Sequence, residues 1–123
     1  MKILLFFVVF LGLQFGATAQ NQLVESCKVA FGKGDIKVLS NYLNDNVSMS
    51  IDDESKAQNK QQTENALQSL FSQNKGVVFS IVHEGTSKEG KKFVIANYAS
   101  YRVTINYKSY SGNYMIDTID FAQ

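Results

Sequence analysis

The last third of the chain, Gly76 to Phe121, admits little besides a β-sheet. Four runs of β-branched and aromatic residues follow one another there: Val77–Val82, Phe93–Tyr98, Tyr101–Tyr107 and Tyr114–Ile119. Such side chains suit a pleated, half-buried surface. Two polar stretches containing glycine, Glu84–Lys91 and Ser109–Asn113, predict hairpin loops between them. The joint at Ala99-Ser100 has neither Gly nor Pro, so it is either a tight turn or the bend of one long strand.

The residues before this run predict helices that cover the sheet. Leu23, Val24, Cys27, Ala30 and Phe31 form one apolar stripe at helical period, predicting a first helix over Asn21–Phe31 that Gly32 and Gly34 stop. Asp35 reads as the N-cap of a short second helix with Ile36, Leu39, Tyr42 and Leu43 on one face, ended by Asn44-Asp45-Asn46. Val47-Ser48-Met49-Ser50-Ile51 alternates apolar and polar, a half-buried strand. Asp52-Asp53-Glu54-Ser55 is expected as a solvated loop, and Lys56–Asn74 as a third helix that docks through Ala66, Leu67, Leu70 and Phe71. The predicted order is α-α-β-α-β-β-β-β, an α+β architecture with a bent antiparallel sheet.

The first 19 residues predict an address rather than structure. Met1-Lys2 is a positive start, Ile3–Phe15 an apolar stretch, and Ala17-Thr18-Ala19 a small-residue cleavage site. The apolar run falls short of the ~20 residues a spanning helix needs. The expectation is export through a Sec-type signal, to a periplasm or the medium, with no transmembrane segment after cleavage. Removing 19 of 123 residues leaves 104, enough for one domain over 20–123. The chain has 12 Lys+Arg and 11 Asp+Glu; with Lys2 in the signal, the rest balances at zero. That balance argues against a nucleic-acid partner.

Few residues offer chemistry. The single cysteine, Cys27, lies on the apolar stripe and reads as core. One His and one Cys make a zinc site implausible, and the acids at 52–54 lack the spacing of a calcium loop. Neither a phosphate-cradling glycine loop nor a serine nucleophile elbow is present, so no metal or cofactor is expected. Strict alternation puts Phe79, Ile81 and His83 on one face of their strand, and Val103, Ile105 and Tyr107 on one face of theirs. The same rule puts Asp117 on the apolar face with Met115, Ile119 and Phe121. A carboxylate so placed has a raised pKa and suits general acid–base work.

Four segments, in order, carry a resemblance: Phe31-Gly32-Lys33-Gly34-Asp35, Leu39–Val47, His83-Glu84-Gly85 and Tyr101-Arg102-Val103. They resemble a family of small exported bacterial domains, domain of unknown function 4783. The element order resembles the cystatin-like cone of the nuclear-transport-factor-2-like superfamily, with its SnoaL-like members. The resemblance implies a conical pocket between a bent sheet and its helices, taking a small apolar or amphipathic ligand. It also implies an outer sheet face available to a second copy or to another envelope protein. Tyr42, Phe79, His83, Tyr98, Tyr107 and Asp117 are the candidate ligand-binding residues. The family carries no assigned activity, and a non-catalytic binding module is the expected function. The alternative is an isomerase or cyclase with Asp117 as general base and His83 or a tyrosine as donor.

Overall fold

The apolar stripe that begins at Leu23 is buried along its whole length, which is why the first helix forms where it does. A computed structural model describes residues 19–123; the expected signal segment lies outside the described residues up to residue 18. Helix α1 (Ala19–Lys33) buries Leu23, Val24, Cys27, Ala30 and Phe31. Gly34 follows it at φ 70°, a left-handed conformation that costs glycine nothing. Helix α2 (Lys37–Ser40) is a single turn holding Leu39 in the core. The predicted second helix is thus shorter than its apolar pattern implied. Asp35 does not cap it as a helix N-cap but accepts from the Lys37 amide at 3.0 Å.

The remaining elements are β1 (Leu43–Ile51), β2 (Glu54–Asn59), α3 (Lys60–Gln73), β3 (Phe79–Thr86), β4 (Lys92–Tyr98), β5 (Tyr101–Tyr110) and β6 (Asn113–Ala122). Two corrections follow. The first is an extra strand, β2, where the sequence predicts a loop and the start of a helix. β2 is an edge strand, largely exposed, and so carries no apolar alternation to announce it. The helix begins only at Lys60 because Asn59 caps it. The Asn59 side chain accepts from Gln62 N at 2.8 Å, and Gln62 Oε1 accepts from Asn59 N at 2.9 Å. The second correction is the sheet, which is mixed. Its order is β2-β1-β6-β5-β4-β3, and the β1–β6 pair is parallel. Parallel pairing needs a crossover, here supplied by everything between β1 and β6.

Ala99-Ser100 is a two-residue turn, because Tyr98 pairs directly with Tyr101. Ala99 sits at φ 54°. Such tight hairpins favour glycine at that position, since a Cβ there is strained. Ala99→Gly is therefore expected to raise stability by roughly 0.5–1 kcal/mol, net of glycine's greater unfolded freedom. A lower urea midpoint for the variant would contradict this account of the turn.

One face of the sheet packs on α1, α2 and α3. Val47, Met49, Val94, Ala96, Tyr98, Val103, Ile105, Tyr107, Ile116, Ile119 and Phe121 point into that layer. Helix α3 returns Leu67, Leu70 and Phe71 to it.

Candidate functional site

The space between sheet and helices is filled with rings. Phe31 of α1 lies at its centre, with ring centroids 4.9 Å from Phe71, 4.4 Å from Phe79, 5.1 Å from Tyr98 and 6.3 Å from Phe121. Offset and edge-on contacts of this kind add about 0.5–1.5 kcal/mol per pair beyond burial. Tyr98 is 1 % exposed, and its hydroxyl has no hydrogen-bond partner among the described residues. Burial pushes its pKa up. Tyr107 is also buried and packs edge-on against Tyr114 at 5.8 Å. Of the six candidate ligand-binding residues, Phe79, Tyr98 and Tyr107 thus belong to the packed interior. Tyr42 is half-buried and lines a separate cleft with Tyr114 and Met115.

Asp117 does not share the inward face of Ile119 and Phe121, and neither does Met115, which pairs with Lys108 on the outer face; both correct the alternation reading. The pairing of β5 with β6 slips between Asn106 and Tyr107: Tyr107 faces Ile116 and Asn106 faces Thr118. Asp117 is the extra residue of a β-bulge. A bulge breaks the period of two, so Ile116 and Ile119 both point inward although they are three apart. The β1–β6 pairing slips at the same place, from Leu43–Ile116 to Ser48–Thr118. The carboxylate left over is held by neutral donors. Asn44 Nδ2 donates to Oδ1 at 2.8 Å, and the Tyr110 hydroxyl donates to Oδ1 at 2.8 Å and Oδ2 at 2.9 Å. That hydrogen bond to the carboxylate pushes the Tyr110 pKa up, since losing the proton would set two anions together.

His83 is moved by the same device. Ile81 pairs with Ala96 but His83 pairs with Ile95, leaving Val82 as the extra residue. His83 is therefore on the outer face, exposed, with its ring 5.7 Å from Phe93. It lies inside β3, which runs past the predicted Val77–Val82 segment and into the predicted loop as far as Thr86. Strands β5 and β4 separate β6 from β3, so Asp117 and His83 stand three strand spacings apart, about 14 Å. The structure does not bring the two together. Among the described residues, no cluster of three or more His, Cys, Asp or Glu side chains is placed to hold a metal ion.

A groove opens beside the filled interior. It has a volume of about 500 Å³ and is lined by Met49, Ile51, Asp52, Glu54, Lys56, Gln58 and Ala66. Residues opposite in an antiparallel pair share a face, so Lys56, opposite Met49, and Gln58, opposite Val47, point to the helix side of the sheet. Gln58 Oε1 is shielded from solvent and accepts no hydrogen bond among the described residues. Apolar Met49, Ile51 and Ala66 thus meet polar Lys56 and Gln58 in one concavity. The sequence reading missed this groove because it missed β2; Asn59 and Gln62, three apart, were the capping signal that would have delayed the helix. The outer face opposite is mainly small and polar (Ser48, Ser50, Thr104, Asn106, Thr118), with Phe93 and Ile95 at its β3 end.

Comparison with known proteins places this geometry. The family model described as domain of unknown function (DUF4783) matches residues 24–122. A DUF4783 family protein from Bacteroides ovatus is similar at 29 % identity and TM-score 0.72, over 80 % of this chain and 92 % of that one. An NTF2-like protein of unknown function from Cytophaga hutchinsonii has TM-score 0.60 at 11 % identity, over 85 % of this chain and 88 % of that one. A cystatin-fold protein from Novosphingobium aromaticivorans has TM-score 0.60 at 10 % identity, over 82 % of this chain and 95 % of that one. The last two are similar in fold alone. No curated protein matches the chain.

Proposed function

The chain belongs to the DUF4783 family, on an NTF2-like, cystatin-like fold, and from that premise we propose that it is an exported, non-catalytic binding module for a small amphipathic ligand. The observation that carries this reading is the ring cluster around Phe31. A cone occupied by Phe31, Phe71, Phe79, Tyr98 and Phe121 leaves no room for a substrate over a buried base. Asp117 and His83, the acid–base pair of the enzymatic alternative, lie on different strands about 14 Å apart. The ligand site is the groove between β1, β2 and α3. Met49, Ile51 and Ala66 take up an alkyl portion, and Lys56 and Gln58 address a polar head. Export rests on the Lys2, Ile3–Phe15 and Ala17–Ala19 pattern.

Octanoate is the probe for this groove. Titration into protein with labelled methyl groups is expected to shift the Met49, Ile51 and Ala66 signals saturably. Ala66→Trp, which fills the groove from the helix side, is expected to abolish the shifts while leaving the fold signals unchanged. Saturable shifts confined to the interior methyls of Val94, Val103 and Ile105, or none at all, would overturn the groove assignment.

A further inference from the structure

We propose that the outer-face cleft across β5, between Lys91 and Asp117, binds a small zwitterion, its ammonium on the Asp117 carboxylate and its carboxylate on the Lys91 ammonium. This site is separate from the groove and does not depend on it. The cleft has a volume of about 250 Å³ and is lined by Lys91, Asn106, Tyr107, Asp117 and Thr118.

Three observations carry the proposal. First, Asp117 is half-buried, and both its donors, Asn44 and Tyr110, are neutral. Among the described residues the sole ion pair is Lys28–Glu25, so neither Asp117 nor Lys91 has an opposite charge against it. A carboxylate has about four acceptor positions, and these donors leave room for a further one. Second, the register sets the two charges on opposite sides of one strand. Lys91 immediately precedes β4, where Lys92 pairs with Tyr107, while Asp117 bulges from β6 next to the partner of Tyr107. Two strand spacings, roughly 10 Å, lie between those backbones, with β5 as the floor. The two side chains line one cleft with no ion pair between them, which suits one small molecule carrying both charges. Third, the polar floor is already ordered. Asn106 Nδ2 donates to Thr118 Oγ1 at 2.6 Å. The other nearby cation, Lys108, rests over the Tyr110 ring, its Nζ 5.7 Å from the centroid, and forms no ion pair with Asp117.

The class of ligand follows from these two opposite charges on one cleft. A free α-amino acid has an ammonium and a carboxylate separated by one carbon, and each end can make a charge-assisted hydrogen bond. A lone amine or a lone carboxylate satisfies only one end.

L-alanine, propionate and ethylamine, titrated into nitrogen-15-labelled protein, test the proposal. L-alanine is expected to shift the backbone amides and the Asn106 side-chain amide around the cleft saturably. Each half-analogue is expected to bind at least about tenfold more weakly, the loss of one charged contact. Lys91→Gln, in an exposed loop, is expected to keep the fold and weaken L-alanine by about tenfold; Asp117→Asn is expected to do at least as much. The proposal fails if propionate matches L-alanine on the native protein, if Lys91→Gln leaves L-alanine binding unchanged, or if no saturable shift occurs at the cleft. Shifts from L-alanine at the Met49–Ala66 groove alone would overturn it as well, without touching the octanoate test.

Discussion

Phe31→Ala is expected to cost about 3–5 kcal/mol, the range for deleting a buried aromatic ring. Phe31 is 2 % exposed and meets four rings, Phe71, Phe79, Tyr98 and Phe121, with centroids between 4.4 and 6.3 Å. Removing it takes away the transfer energy of the ring and leaves a cavity that the strands cannot close, because Phe79, Tyr98 and Phe121 are each fixed by their own ladders. A domain of this size has roughly 5–15 kcal/mol to lose, so a large part of its stability is at stake. Urea unfolding of the variant against Val78→Ala, an exposed apolar side chain, separates loss of core packing from loss of an apolar side chain in general. A drop of less than about 1 kcal/mol for Phe31→Ala would mean that the rings are not tightly packed. It would also return the cone to consideration as a ligand site.

Alkaline pH is the second large lever, and it acts through Cys27. The thiol is fully buried on α1, and desolvation pushes its pKa up from 9.0 to about 12. In the unfolded chain the thiol ionises above 9.0; in the folded protein it keeps its proton. The unfolded state therefore binds fewer protons across this window, and stability falls as pH rises through it. Below the unfolded value the contribution is fully present. The loss from this one group approaches about 3 kcal/mol by roughly pH 11. Lysines and tyrosines titrate in the same range, so the measurement is a difference. Cys27→Ala is expected to be the less stable form at neutral pH, because it leaves a small cavity, and the gap to the native chain is expected to shrink from pH 9 to 11. A gap that stays constant would contradict a buried, protonated thiol. The same burial predicts that Cys27 reacts with thiol reagents only at the rate of unfolding.

The two bulges bear on function more than any other feature. Without the extra residue at Val82, His83 would follow Phe79 and Ile81 toward the helices. Without the one at 117, the last strand would carry a single uninterrupted alternation. Both bulges take a polar side chain that the period of two sends inward and bring it to the periphery. Among the described residues, the buried interior that remains holds no charged side chain.

Much of this architecture was legible in the residues themselves. The stripe from Leu23 to Phe31 forces a helix because its spacing leaves no other way to bury five apolar side chains together. The runs at 93–98 and 101–107 force strands for the same reason at a different period, and their inward faces, Val103, Ile105 and Tyr107, follow directly. Three things were decided only by the tertiary structure. Strand β2 exists because β1 offers it a ladder; its own polar residues bury little and carry no pattern. The parallel contact of β1 with β6 joins segments more than sixty residues apart, which no local preference encodes. The positions of Asp117 and His83 depend on single extra residues in β6 and β3, and a one-residue slip inverts every face beyond it. Local sequence sets the period of a strand, but its phase relative to the core is set by its neighbours, and the candidate site residues were those for which phase was the whole question.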